Sequence, residues 1–188
     1  MSRNPLALKA FEQNTKPLFA LVLGASGAGK STLLGTMPGR ILYIYFRSDI
    51  SGASFAAADE SSTVFPYLTD PKVTETGADY SDDEAVADLL AVVSNPGLKS
   101  QYDSIALDGL PALEELLMRS PAINEQSLSK KGVLDSFAKD RNVSLKMVQI
   151  LLALVEQRET HGLNVAVTSL ARVNTDDAGF TNITVKIS

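Results

Sequence analysis

The nine residues GASGAGKST, Gly24 to Thr32, follow directly on an apolar run, FALVL. Gly24, Gly29, Lys30 and Ser31 satisfy the spacing G-x-x-x-x-G-K-[ST], which has structural meaning when a strand precedes it and a helix follows. Both flanks are met: LFALVL (Leu18 to Leu23) reads as a buried strand, and a helix is expected to open at Ser31, Thr32, Leu33 and Leu34. Glycines at 24, 27 and 29 let the backbone turn tightly with no Cβ in the way, so that consecutive N–H groups point inward. Such a concavity suits a phosphate. Lys30 is then expected to bring positive charge to the β- and γ-phosphates, with the Ser31 hydroxyl placed to ligate Mg2+. Gly24, Ala25, Ser26, Gly27, Ala28, Gly29, Lys30, Ser31 and Thr32 are therefore expected to hold ATP or ADP.

The remainder of the chain alternates between two kinds of pattern. ILYIYF (Ile41 to Phe46), SIALD (Ser104 to Asp108) and NVAVTSL (Asn164 to Leu170) are short apolar runs of the kind found in buried parallel strands. Between them lie helical periodicities. One opens at Ser81 with Glu84 three residues on, continues through Val86, Leu89, Leu90 and Val93, and stops at Asn95, Pro96 and Gly97. Another carries Met147, Ile150, Leu151 and Leu154 on one face, with Gln157 and Arg158 expected toward water, and ends near His161 and Gly162. A third follows Pro111 through Leu113, Leu116 and Leu117. Strands separated by helices predict an α/β three-layer sandwich with a mostly parallel sheet, because a parallel connection needs a crossover.

With 188 residues, 45% of them hydrophobic, the chain can bury one core, so residues 1–188 are read as a single domain. Residues 1–16 form an N-terminal extension without the apolar stretch of a secretory signal, and 48–80 an acidic, partly ordered insertion. The final TNITVKIS (Thr181 to Ser188) alternates like a further strand, which leaves truncation at this end an open reading. No run of 18 apolar residues predicts a membrane span, and without cysteine the chain has neither disulfides nor thiolate metal ligands. A cytoplasmic protein is expected. Carboxylates recur from Asp49 to Asp88 with Lys72 the only base, whereas Arg119, Lys130, Lys131, Lys139, Arg141 and Lys146 make the later half the side a polyanion would meet first.

A phosphate loop needs a carboxylate at the end of a neighbouring strand to hold hydrated Mg2+, and YDSIALDGL offers Asp108 there. Asp103 begins the same strand and is expected to point elsewhere. His161 is read as a helix C-terminal cap, Tyr43 and Tyr45 as packing residues rather than adenine stackers, and Asp82, Asp83 and Glu84 as helix-start charges.

On three quoted segments, TKPLFALVLGASGAGKSTLLGTMPGRILYIYF, DSIALDGL and GLNVAVTSLARVN followed by DDAGFTNITVKIS, the chain resembles phage-encoded P-loop ATPases with a RecA-like core, including those that work with single-strand annealing proteins in recombination. The resemblance covers most of the chain from Thr15. It implies a RecA-like P-loop NTPase sheet with ATP between subunits of a homo-oligomer, Mg2+ on Ser31 and Asp108, and a polar sensor at Thr168 and Ser169. It also implies single-stranded DNA or another phage protein as partner, in the host cytoplasm. The position of a mobile DNA-contacting loop falls to ARVNTDDAG (Ala171 to Gly179), which has Arg172 as its only base against Asp176 and Asp177.

One departure concerns catalysis. Such ATPases orient the attacking water with a glutamate just past the second strand, where this chain has Arg47; Asp49 is the nearest carboxylate and is taken with Lys30 as a candidate catalytic residue. Gly109, not a glutamate, follows Asp108. Besides a magnesium-dependent ATPase, two alternatives therefore stand: a non-catalytic nucleotide-binding module at a protein interface, and a small-molecule or nucleotide kinase. The kinase would need a lid with several arginines, and downstream of Met147 only Arg158 and Arg172 are present.

Overall fold

A computed structural model of the chain describes residues 16–46, 64–69, 81–129, 131–175 and 181–186. Six strands form one sheet: β1 (Phe19–Gly24), β2 (Ile41–Phe46), β3 (Val64–Thr69), β4 (Ser104–Asp108), β5 (Asn164–Thr175) and β6 (Thr181–Lys186). The order is β1-β5-β4-β2-β3, and every neighbouring pair in it is parallel. β6 is antiparallel to the far half of β5. Leu170 is paired with Gly24 on one side and Lys186 on the other, so β6 runs along the β4 side of β5, past the end of β4. The expected α/β architecture with a mostly parallel sheet is present.

Two findings extend the sequence reading. Within the stretch read as an insertion, Val64–Thr69 is an edge strand of the sheet itself, paired residue by residue with all of β2. Pro66 fits there because an edge strand has one side free of ladder bonds. Of the segment equated with a mobile loop, Ala171–Thr175 continues β5, stabilised by pairing with Thr181–Lys186; 176–180 lie outside the described residues.

The sheet divides the core by strand parity. Leu42, Ile44, Ile105, Leu107, Val165 and Val167 face the larger cluster with helices α2 (Asp82–Val93), α3 (Leu110–Arg119), α4 (Pro121–Gln126) and α5 (Ser136–Glu159). Ile41, Tyr43, Ala106 and Ala166 face a smaller cluster, where α1 (Lys30–Leu34) contributes Leu34. α1 has five residues and stops at Gly35, and it includes the Ser31, Thr32, Leu33 and Leu34 expected to open a helix. The apolar row Phe19, Leu21 and Leu23 on edge strand β1 is exposed.

Helix ends are set locally. Ser81 and Glu84 form the expected reciprocal capping box at α2. Asp83 also reaches α4, accepting from the Ser120 hydroxyl and from Ala122 N at 3.0 Å, and Asp82 pairs with Arg119. α5 closes at Thr160, whose N–H donates to Glu156 O at 2.8 Å, so His161 is not the cap.

Gln157 overturns the expectation that it faces water. It is 1% exposed, and its Nε2 donates to Val93 O (2.9 Å) and Asn95 O (3.0 Å), tying α5 to the end of α2. Val93 is the last residue of α2 and Asn95 lies just past it, where Asn95 O also accepts from Leu98 N at 3.2 Å. Carbonyls at a helix end are short of donors, so an amide is favoured here over an apolar residue. Gln157→Leu is expected to cost about 2 kcal/mol, read as a lower urea midpoint at unchanged slope.

Asp103 sits at the amino end of β4, away from the glycine loop. The backbone N–H of Arg40, helped by the charges of Lys99 and Arg40, holds its carboxyl below the ordinary aspartate range. Its folded pKa is therefore lower than its unfolded one. The stability it contributes is complete above about pH 4 and drains as pH falls through the lower folded value. Asp103→Asn is expected to flatten that acid limb in a plot of urea midpoint against pH.

Candidate functional site

β1, β5, β4 and β2 are parallel, so their carboxyl ends share one edge of the sheet, where open α/β sheets gather their ligand-binding groups. The glycine loop leaves β1 at that edge. Gly27 and Gly29 adopt φ +75° and +81°, a left-handed conformation that side chains resist, and a Cβ at either would meet nothing within 4 Å. The loop is thus open to solvent and bent by backbone conformation alone. Residues Ala25 to Gly29 are exposed, and Lys30 and Ser31 half-buried. Lys30 Nζ donates to Gly24 O (3.0 Å) and Ala25 O (2.8 Å), folded over the loop that it follows.

From the other side comes Asp108, the last residue of β4, 2% exposed. Ser31 Oγ donates to its Oδ2 at 2.5 Å across 77 positions of sequence. The two residues predicted to share a cation are therefore in direct contact. The buried Tyr43 hydroxyl also donates to Oδ2, and Thr168 Oγ1 donates to Oδ1 at 2.6 Å. Thr168 in turn accepts from Gly109 N at 2.8 Å, fixing the turn out of β4, where Gly109 has φ +108°.

Register explains the convergence. Leu107 pairs with Val167, so Thr168 lies level with Asp108, and Val22 of β1 pairs with Thr168 from the opposite side. β5 stands between the strand that delivers the loop and the strand that delivers the carboxylate. Tyr43 pairs with Ala106, and Tyr45 with Asp108. Tyr43 is a packing residue as expected, but its hydroxyl belongs to the site as well, which the sequence reading missed. The available signal was parity: Tyr43, Ala106 and Asp108 share a face, and alanines at 106 and 166 leave room for a ring.

Thr168 and Ser169, expected at the end of their strand, are buried part-way along β5, which runs on to Thr175; Thr168 is level with the end of β4. Asp49 and Arg47 lie outside the described residues. Ala25, Ser26, Ala28 and Thr32 lie in or beside the loop as the spacing requires. Among the described residues no group of three or more His, Cys, Asp or Glu side chains forms a metal cage, and no helix is long and apolar enough to cross a membrane. No protein-family model matches the chain, and no curated protein matches it.

Proposed function

We propose that the chain binds ATP with Mg2+ as a RecA-like P-loop protein and hydrolyses it in a reaction tied to single-stranded DNA. The observation that carries the nucleotide part is the 2.5 Å contact between Ser31 and Asp108 beside a left-handed glycine loop that ends in Lys30. An aliphatic hydroxyl and a carboxylate are hard oxygen donors, the set Mg2+ prefers, and this ion retains waters rather than demanding an all-protein cage. The donor chemistry therefore fits. In this reading the loop amides and Lys30 hold the phosphates, Ser31 and Asp108 hold the cation, and Thr168 keeps Asp108 and the Gly109 turn in place. Bound Mg2+ would neutralise phosphate charge and orient the terminal phosphoryl group.

The link to phage recombination rests on the resemblance of the quoted segments, and Asp49 or a residue of a neighbouring subunit is the proposed water-orienting group. The expected result is magnesium-dependent release of phosphate from ATP that rises on adding single-stranded DNA. Zero turnover in both conditions removes the catalytic half.

Gly109 after Asp108 favours a second reading, a nucleotide-binding module without hydrolysis, since many P-loop ATPases keep their glutamate there. Tight ATP binding and nucleotide-dependent self-association with no turnover would select it. A kinase is less favoured: Arg158, one of its two candidate lid arginines, donates to Pro17 O at 2.8 Å, at the amino end of β1 and away from the loop.

A further inference from the structure

We infer that Tyr43 is a positioning residue for the cation-binding carboxylate, holding Asp108 in one orientation toward a nucleotide-bound divalent cation. This deepens the proposed nucleotide site and rests on it.

The geometry is specific to a phenol. The Tyr43 ring is fully buried in the small cluster with Leu34, Ile41, Ala106 and Ala166, on the face of the sheet that carries α1. The ring is rigid and its strand is paired on both sides, so its hydroxyl has little freedom to seek another acceptor. It donates to Oδ2 of Asp108, the oxygen that also accepts from Ser31, while Thr168 of β5 donates to Oδ1. Each carboxylate oxygen is thus held from a different strand. Turning the carboxylate about its Cβ–Cγ bond would break contacts on both oxygens at once. Outer partners of this kind orient a metal ligand before the metal arrives.

Ser31 cannot do this alone. As the other proposed ligand, its hydroxyl must serve the cation, and the loop that precedes it, Ala25 to Gly29, is exposed. Tyr43 and Thr168 lie in the sheet and hold the carboxylate independently of the loop. Packing requires only the ring, which phenylalanine also supplies; positioning requires the oxygen. The two roles therefore separate in one substitution.

The test is Tyr43→Phe in the full chain, titrated with a fluorescent ATP analogue over a range of Mg2+ concentrations and again in EDTA. The Mg2+ concentration for half-maximal gain in nucleotide affinity should rise about 10- to 100-fold, with affinity in EDTA unchanged. A metal-free control uses urea midpoints of Tyr43→Phe, Asp108→Asn and the double variant, where the second substitution should add clearly less than it costs alone. Unchanged Mg2+ dependence, or strictly additive midpoints, overturns the role of Tyr43 while leaving the nucleotide site standing. A wild type that binds no nucleotide in either buffer overturns both.

Discussion

Replacing Lys30 with alanine is expected to weaken ATP binding about 100-fold while leaving the melting temperature nearly unchanged. The ammonium donates to the carbonyls of Gly24 and Ala25, partly exposed contacts that contribute little to stability. Against a polyphosphate the same group makes charge-assisted hydrogen bonds, worth roughly 1.5–3 kcal/mol each, and two of them at the lower end of that range correspond to about two decades of affinity. Calorimetric titration of ATP with Mg2+ into wild type and variant reads this directly. Affinity retained within about threefold would remove Lys30 from the site. Lys30→Arg is expected to rescue only in part, because a planar fork does not replace a compact point charge.

Asp108→Ala is expected to act on stability and binding together. It removes the acceptor of three hydroxyls, two of which, on Tyr43 and Thr168, are buried. Leaving a buried donor unsatisfied costs roughly 1–3 kcal/mol, so a combined loss of about 3 kcal/mol is anticipated. At this chain length that is a drop of roughly 6–12 °C in melting temperature. The gain in ATP affinity on adding Mg2+ should vanish as well. Asp108→Asn keeps one accepting oxygen and should recover part of the stability with none of the metal response. A variant that melts with wild type would mean that the hydroxyls do not depend on this carboxylate.

Much of this site was legible before any coordinates because its parts are short-range. The glycine loop, its lysine and its serine are neighbours in sequence, and the strand ending in Asp108 declares itself through Ile105, Ala106 and Leu107. The meeting of Ser31 with Asp108 was inferred from motif chemistry, and the register of three strands brings it about. Tyr43 escaped because its role lies in one oxygen at the end of a side chain whose ring already accounts for its position. Gln157 was misjudged because helical periodicity sorts residues by polarity, and its amide is buried to satisfy carbonyls of another helix. β3 was hidden in acidic, turn-rich surroundings, where VFPYLT contains a proline that argues against a central strand and says nothing against an edge.

The strand that separates β1 from β4 makes this site a gauge of how the sheet was assembled. Slipping β5 by a single residue would turn Thr168 to the opposite face, away from Asp108, since side chains alternate along a strand. Only a correctly threaded sheet offers the complete set of oxygens. A ligand that recognises the set would therefore stabilise that threading over its neighbours, in proportion to its concentration relative to Kd.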